Sequence, residues 1–147
     1  MYHCKHFKIQ ELVSKLVYDR YGDFCWNFFS DDFKRDLDTI REYHGSGITI
    51  NNWCFGGTNY TQCGLRSNLD PMVIGKTTLY CSAHCMGKAV DMHSKDNIKL
   101  WNDCKYLIEK GKLRTIKRLE SQLSTKNGWV HVDCFETSDG KLQIFLG

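Results

Sequence analysis

No run of about 18 apolar residues occurs in the chain, so no segment is expected to cross a bilayer as a helix. The first residues, Met1 to His6, lack the apolar stretch of a secretory signal. Synthesis in the cytoplasm is therefore expected, and a target beyond it would have to be reached with the help of another protein. There is no Cys-x-x-Cys pair, although structural zinc sites usually show one. Repeats, low-complexity tracts and linkers are also missing, and Pro71 is the only proline. A charge excess is nearly absent too, because the formal net charge is only +3. So mild a balance assists approach to an anionic polymer such as a cell wall, but it does not specify nucleic acid.

The chain does have the means to build a core. Its 147 residues suit one domain, typically roughly 100–150 residues, and 41% of them are hydrophobic. With 25% charged residues the composition is that of a globular protein rather than a disordered one. Residues 1–147 are read as a single domain, expected to act as a monomer. The cysteine count of eight is even, yet a chain of this length folds without staples, and reduced thiols are expected.

Ile9, Leu12, Val13, Leu16 and Val17 form one helical stripe over residues 9–20, which Gly22 ends. Ser30, Asp31 and Asp32 open a second helix whose buried face is Phe33, Leu37 and Ile40, with Gly45 as its stop. Residues 47–53 alternate as a strand. Residues 54–79 are irregular, and so long a loop in a compact domain tends to be functional. A short strand at 88–93, a helix at 97–110 and a shorter helical segment at 116–123 follow. Two strands at 128–134 and 141–146 flank the turn Ser138-Asp139-Gly140. The pattern predicts an α+β fold, with helices first and a central antiparallel sheet carrying the site.

Two segments bear the chemistry. In the strand containing Asp91, alternation sends Val90 and Met92 to one face and Ala89, Asp91 and His93 to the other. In the strand after Gly128, Val130 and Val132 face one way while Trp129, His131 and Asp133 face the other. If these strands pair, their polar faces merge, and Gly87 lets the chain turn between His84 and the first strand. His84, Asp91 and His131 would then form a three-ligand zinc set that leaves a position for water. The same three residues can also be read as unconnected polar side chains.

The pattern Ser-x-His-x-x-Gly-x-Ala-x-Asp at residues 82–91, followed by aromatic-x-His-x-Asp at 129–133, resembles the zinc D-alanyl-D-alanine carboxypeptidase family, notably its small bacterial and phage members. Residues 6–12, 37–42 and the loop Gly64-Leu65-Arg66-Ser67 resemble further segments of that family in the same order. The resemblance implies a central antiparallel sheet with a zinc cleft, one Zn2+ held by His84, Asp91 and His131, and hydrolysis of a peptide bond in peptidoglycan. It implies substrate binding by Arg66, whose guanidinium fork suits a carbonyl or carboxylate, and by Ser82. It also suggests a phage endolysin or bacterial lytic enzyme, released to the wall by a separate membrane-permeabilising protein.

One departure concerns the general base. Many members carry an acid three residues before the last zinc histidine, where this chain has Gly128. Asp133 either orients His131 or takes a proton from the water, and His93 beside Asp91 is another candidate. Two rival readings lack catalysis. One is a closed structural zinc site of Cys81, His84 and Cys85 completed by Cys54, Cys63 or Cys104. The other is a wall-binding module of the same fold.

Overall fold

The computed structural model describes residues 1–147. Its first helix, α1 (Ile9–Leu12), is one turn long, and α2 (Lys15–Tyr21) follows after a break. The single helix expected over 9–20 is therefore two. Val13 is extended, at φ −130° and ψ 155°, and it bridges Leu65 in parallel. Its carbonyl accepts from Asn51 Nδ2 at 2.9 Å and Trp53 Nε1 at 3.0 Å, so it is drawn sideways, out of any helical ladder. Ser14 then caps α2, and Leu16 falls on the outside, 48% exposed.

A 3₁₀ segment (Gly22–Phe28) leads to α3 (Asp31–His44), capped by the Ser30 hydroxyl and stopped by Gly45 at φ 74°. Phe33, Leu37 and Ile40 are fully buried, as the periodicity predicts. Residues 47–53 are not a strand. Only Thr49 pairs there, exchanging two backbone hydrogen bonds of 2.8 Å with His93, and a 3₁₀ turn (Trp53–Phe55) follows. The long irregular stretch holds one short helix, α4 (Pro71–Ile74).

Strand β1 (Ala89–Met92) precedes α5 (Asn97–Glu109), and β2 (Arg118–Glu120) occupies the segment expected to be helical. Ile116 and Leu119 are both buried, and their spacing of three imitates a helix face. The tertiary structure decides otherwise. The buried Asp36 carboxylate on α3 accepts hydrogen bonds from the amides of Arg114, Thr115 and Ile116, at 2.7, 2.7 and 3.0 Å. That grip delivers the chain, extended, to the sheet. Only then comes a helical turn, α6 (Gln122–Thr125), followed by β3 (Val130–Asp133) and β4 (Gln143–Phe145).

The fold is α+β, with a four-stranded sheet in the order β1-β3-β2-β4. Pairing is antiparallel across β1, β3 and β2, as expected, but β4 runs parallel to β2, so the sheet is mixed. The turn at Gly140 therefore does not close a hairpin: the chain crosses to the far edge of β2. Val90, Met92, Leu119, Val130 and Val132, none more than 1% exposed, make the apolar face. That face joins the helices in one core with Phe33, Leu37, Leu100 and Cys104. The opposite face carries the polar residues.

Candidate metal centre

His84 lies in a short 3₁₀ turn (Ala83–Met86) that begins with the Ser82 hydroxyl accepting from the His84 amide at 3.1 Å. Gly87 ends the turn at φ 66°, and a Cβ there would lie 2.4 Å from the Phe28 carbonyl oxygen. Both facts require glycine. His84 Nδ1 donates to the Gly64 carbonyl at 2.9 Å, which turns Nε2 toward Asp91 and His131.

Asp91 and His131 face each other directly in the β1–β3 ladder. The expected pairing of the two polar strand faces is therefore observed, and His84 is brought to the same place. His84 Nε2 is 3.3 Å from His131 Nδ1 and 3.3 Å from Asp91 Oδ2, while His131 Nδ1 is 2.7 Å from Asp91 Oδ1. All three donor atoms lie within 4.8 Å of one another. A tetrahedral ion with bonds of about 2.0–2.1 Å needs its ligands roughly 3.3–3.4 Å apart. Both separations from His84 are close to that value and the His131–Asp91 pair is tighter, at 2.7 Å, and the group could hold a metal ion. No cysteine belongs to it, so the sulfur-rich set around Cys81 and Cys85 does not converge. None of the cysteines is in a disulfide.

The electrostatics follow from burial against hydrogen bonding. Burial raises the Asp91 carboxyl, but hydrogen bonds from His131 and His84 outweigh it and hold Asp91 well below the usual carboxylate range. Burial alone would depress His131, yet bonds to Asp133 and Asp91 push it up to about 9. Asp133, 2% exposed, reaches His131 at Nε2, 3.4 Å away, on the ring edge opposite Asp91. Its other oxygen accepts from the Phe135 amide at 3.1 Å. Asp133 thus sits behind His131 and fixes its orientation.

The other candidates have varied places. Arg66 is only 7% exposed and donates to Asp91 Oδ2 at 3.1 Å and to the Gln62 carbonyl. It lines the cleft, but much of its fork is engaged. Ser82 lines the cleft as well, with its hydroxyl capping the turn. His93 stacks on Tyr60 at 3.7 Å, and its nitrogens face the Gly128 carbonyl at 3.2 Å and Cys63 Sγ at 3.5 Å. Both are occupied, and burial holds its pKa below the usual imidazole value.

A cavity of about 580 Å³ opens over the group, and a second of about 390 Å³ continues past Asp91 on the Tyr60 side. Arg66, Met72, Asp91 and Trp129 line both, so one cleft crosses the centre. Arg118 and Glu120 on β2 line it as well, and both escaped the sequence reading. The register pairs Arg118 with Asp133 and Leu119 with Val132, which sets Glu120 across from His131 on the polar face. Burial pushes the Glu120 carboxyl up, against the pull of His131. Strand alternation over Arg118-Leu119-Glu120 was the available signal, hidden by the helix-like spacing of Ile116 and Leu119.

The chain matches no protein-family model, no curated protein and no solved structure.

Proposed function

We propose that the chain is a zinc-dependent peptidase that cuts a peptide bond in peptidoglycan stem peptides or cross-links, with His84, Asp91 and His131 as the ligands. The observation that carries this reading is the spacing of the three donor atoms at the floor of an open cleft. Two imidazoles and one carboxylate are a donor set typical of catalytic zinc, and three protein ligands leave a corner free. Zinc bound there supplies Lewis acidity, polarising a carbonyl and acidifying a water.

The side chains around it have separable tasks. Asp133 holds the His131 ring with Nδ1 toward the ion, and the Gly64 carbonyl does the same for His84 through Nδ1, leaving Nε2 to bind. Arg66 holds Asp91 in place through its hydrogen bond to Oδ2. Glu120, beside His131 and not a ligand, holds the proton in the hydrolytic step and returns it to the leaving amine. Trp129 and Met72 form apolar walls against which a peptide lies.

The substrate class rests on the pattern at residues 82–91 and 129–133, and the slight positive charge suits an anionic wall. A phage or bacterial lytic enzyme fits this reading. Digestion of purified sacculi by the zinc-loaded protein tests it, with mass spectrometry of the muropeptides naming the bond. New amino termini are expected, and they should vanish with His131→Ala. Intact sacculi at every pH tried would end the proposal. X-ray absorption should show only nitrogen and oxygen around zinc.

A further inference from the structure

Arg118 stands apart from Arg66 in one respect: the protein leaves its charge available. Its guanidinium carbon lies 4.3 Å from the Phe145 ring centroid and 5.6 Å from that of Phe135, so it packs over two aromatic rings. Its one carboxylate neighbour is Asp133, with Nε 3.5 Å from Oδ1, and that Nε is buried without a hydrogen-bond partner. Asp133 is also shared with His131 and the Phe135 amide. The side chain keeps 24% of its surface exposed, against 6% for Arg66, and it lines the same cavity as the candidate metal centre.

The strand sets the distance. Arg118 lies two residues from Glu120, which faces His131, and two residues of strand span roughly 6.6–6.8 Å. An extended substrate covers that length in one or two residues, at about 3.3–3.6 Å each. Loading the centre with a divalent cation adds positive charge at one end of this path, and Arg118 supplies it at the other. A peptide with a free carboxylate close to its scissile bond matches both ends. A guanidinium packed over aromatic rings still presents its N–H groups as a fork, the geometry for a bidentate carboxylate.

We propose that Arg118, clamped between Phe145 and Phe135, is the carboxylate-binding subsite of the cleft, and that it selects peptides carrying a free carboxylate one or two residues from the cut bond. This rests on the peptidase reading, and it moves the anchoring task from Arg66 to a residue on β2. Two parts of a stem peptide offer that carboxylate: the C-terminal D-alanine, or the α-carboxylate of a γ-linked D-glutamate.

Binding to the metal-free protein separates the subsite from catalysis. N-acetyl-D-Ala-D-Ala and a γ-D-glutamyl dipeptide are each compared with their carboxamides by NMR titration and calorimetry. At least one acid should bind about tenfold to a hundredfold more tightly than its amide, the range of a charge-assisted hydrogen-bonded pair. Arg118→Gln should abolish that preference, and Arg118→Lys should keep part of it. Phe145→Leu, which leaves the charge but frees the side chain, should weaken it, and serves if Arg118→Gln fails to fold. Which acid shows the preference names its source. A preference that survives in folded Arg118→Gln, or none in the parent protein, overturns the proposal. A carboxylate preference without any cleavage of sacculi would instead leave the subsite standing and remove the peptidase.

Discussion

His131 is an imidazole held between two carboxylates, with Asp91 2.7 Å from Nδ1 and Asp133 3.4 Å from Nε2. Without metal its pKa is pushed from 6.5 to about 9, so it is an imidazolium at neutral pH. A raised folded-state pKa adds stability that is fully present below 6.5 and disappears as pH climbs through about 9. Asp91, held low, contributes in the opposite sense: its share is present above the ordinary carboxylate range and disappears in strong acid. The metal-free protein should therefore weaken between about pH 6.5 and 9, as chemical denaturation at several pH values would reveal. Zinc must displace the Nδ1 proton, so its apparent affinity should rise about tenfold per pH unit until pH approaches 9. An affinity flat with pH in competition titrations would contradict that. The thiols differ just as clearly. Burial pushes Cys25 up to about 11 and Cys63 up to about 12, and holds fully buried Cys104 well above the usual thiol range, whereas Cys81 is exposed. Brief native-state alkylation should modify Cys81 first and reach Cys104 only after unfolding, as peptide mass spectrometry would show.

At the scale of elements, the centre depends on how a 3₁₀ turn meets a strand. Gly87 joins the turn bearing His84 to β1 bearing Asp91, with φ 66° and the Phe28 carbonyl pressed against it. Gly87→Ala should cost about 1–2 kcal/mol for the left-handed backbone alone, and more for the clash. Because the turn must move to relieve it, zinc affinity should fall together with the melting temperature. Loss of stability with unchanged affinity would show that His84 is positioned by something else. Strand β2 teaches the complementary lesson. Leu119 is in the core while Arg118 and Glu120 line the cleft, a division that only an extended backbone creates. A three-residue strand is too short for its alternation to stand out against a chance helical spacing.

Over the whole molecule, buried carboxylates of α3 bind distant segments to the helix. Asp36, 1% exposed, accepts three backbone N–H groups and the Thr115 hydroxyl at 3.0 Å. Asp38 accepts from the Tyr2 hydroxyl at 2.6 Å and from the amides of Lys5 and His6 at 2.8 and 3.1 Å. His44, at the end of the same helix, spans to Asp103 and Ser94, 2.7 Å each. Asp36→Asn keeps the shape but replaces one acceptor oxygen with a donor facing N–H groups. A loss of about 3 kcal/mol is expected in urea denaturation, since hydrogen bonds to a charged group are worth about 1.5–3 kcal/mol each. The loosened segment feeds β2, so the Arg118 and Glu120 side of the cleft should loosen with it. Faster amide exchange in β2 than in β1 would report this.

Local rules in the sequence determined α3, α5, β1 and β3, because caps, glycine stops and a two-residue alternation act over a few neighbours. They also picked out Asp91 and His131, since each strand declares which face is polar. What only the tertiary structure decided is where long-range hydrogen bonds override local preference. Val13 is pulled out of its helix by Asn51 and Trp53. Residues 118–120 are drawn into the sheet behind the Asp36 grip, and β4 is laid parallel to β2. The 3.3 Å meeting of His84 with Asp91 and His131 belongs to the same class. It depends on His131, which lies 40 positions beyond Asp91 and 47 beyond His84, a separation that no local pattern encodes.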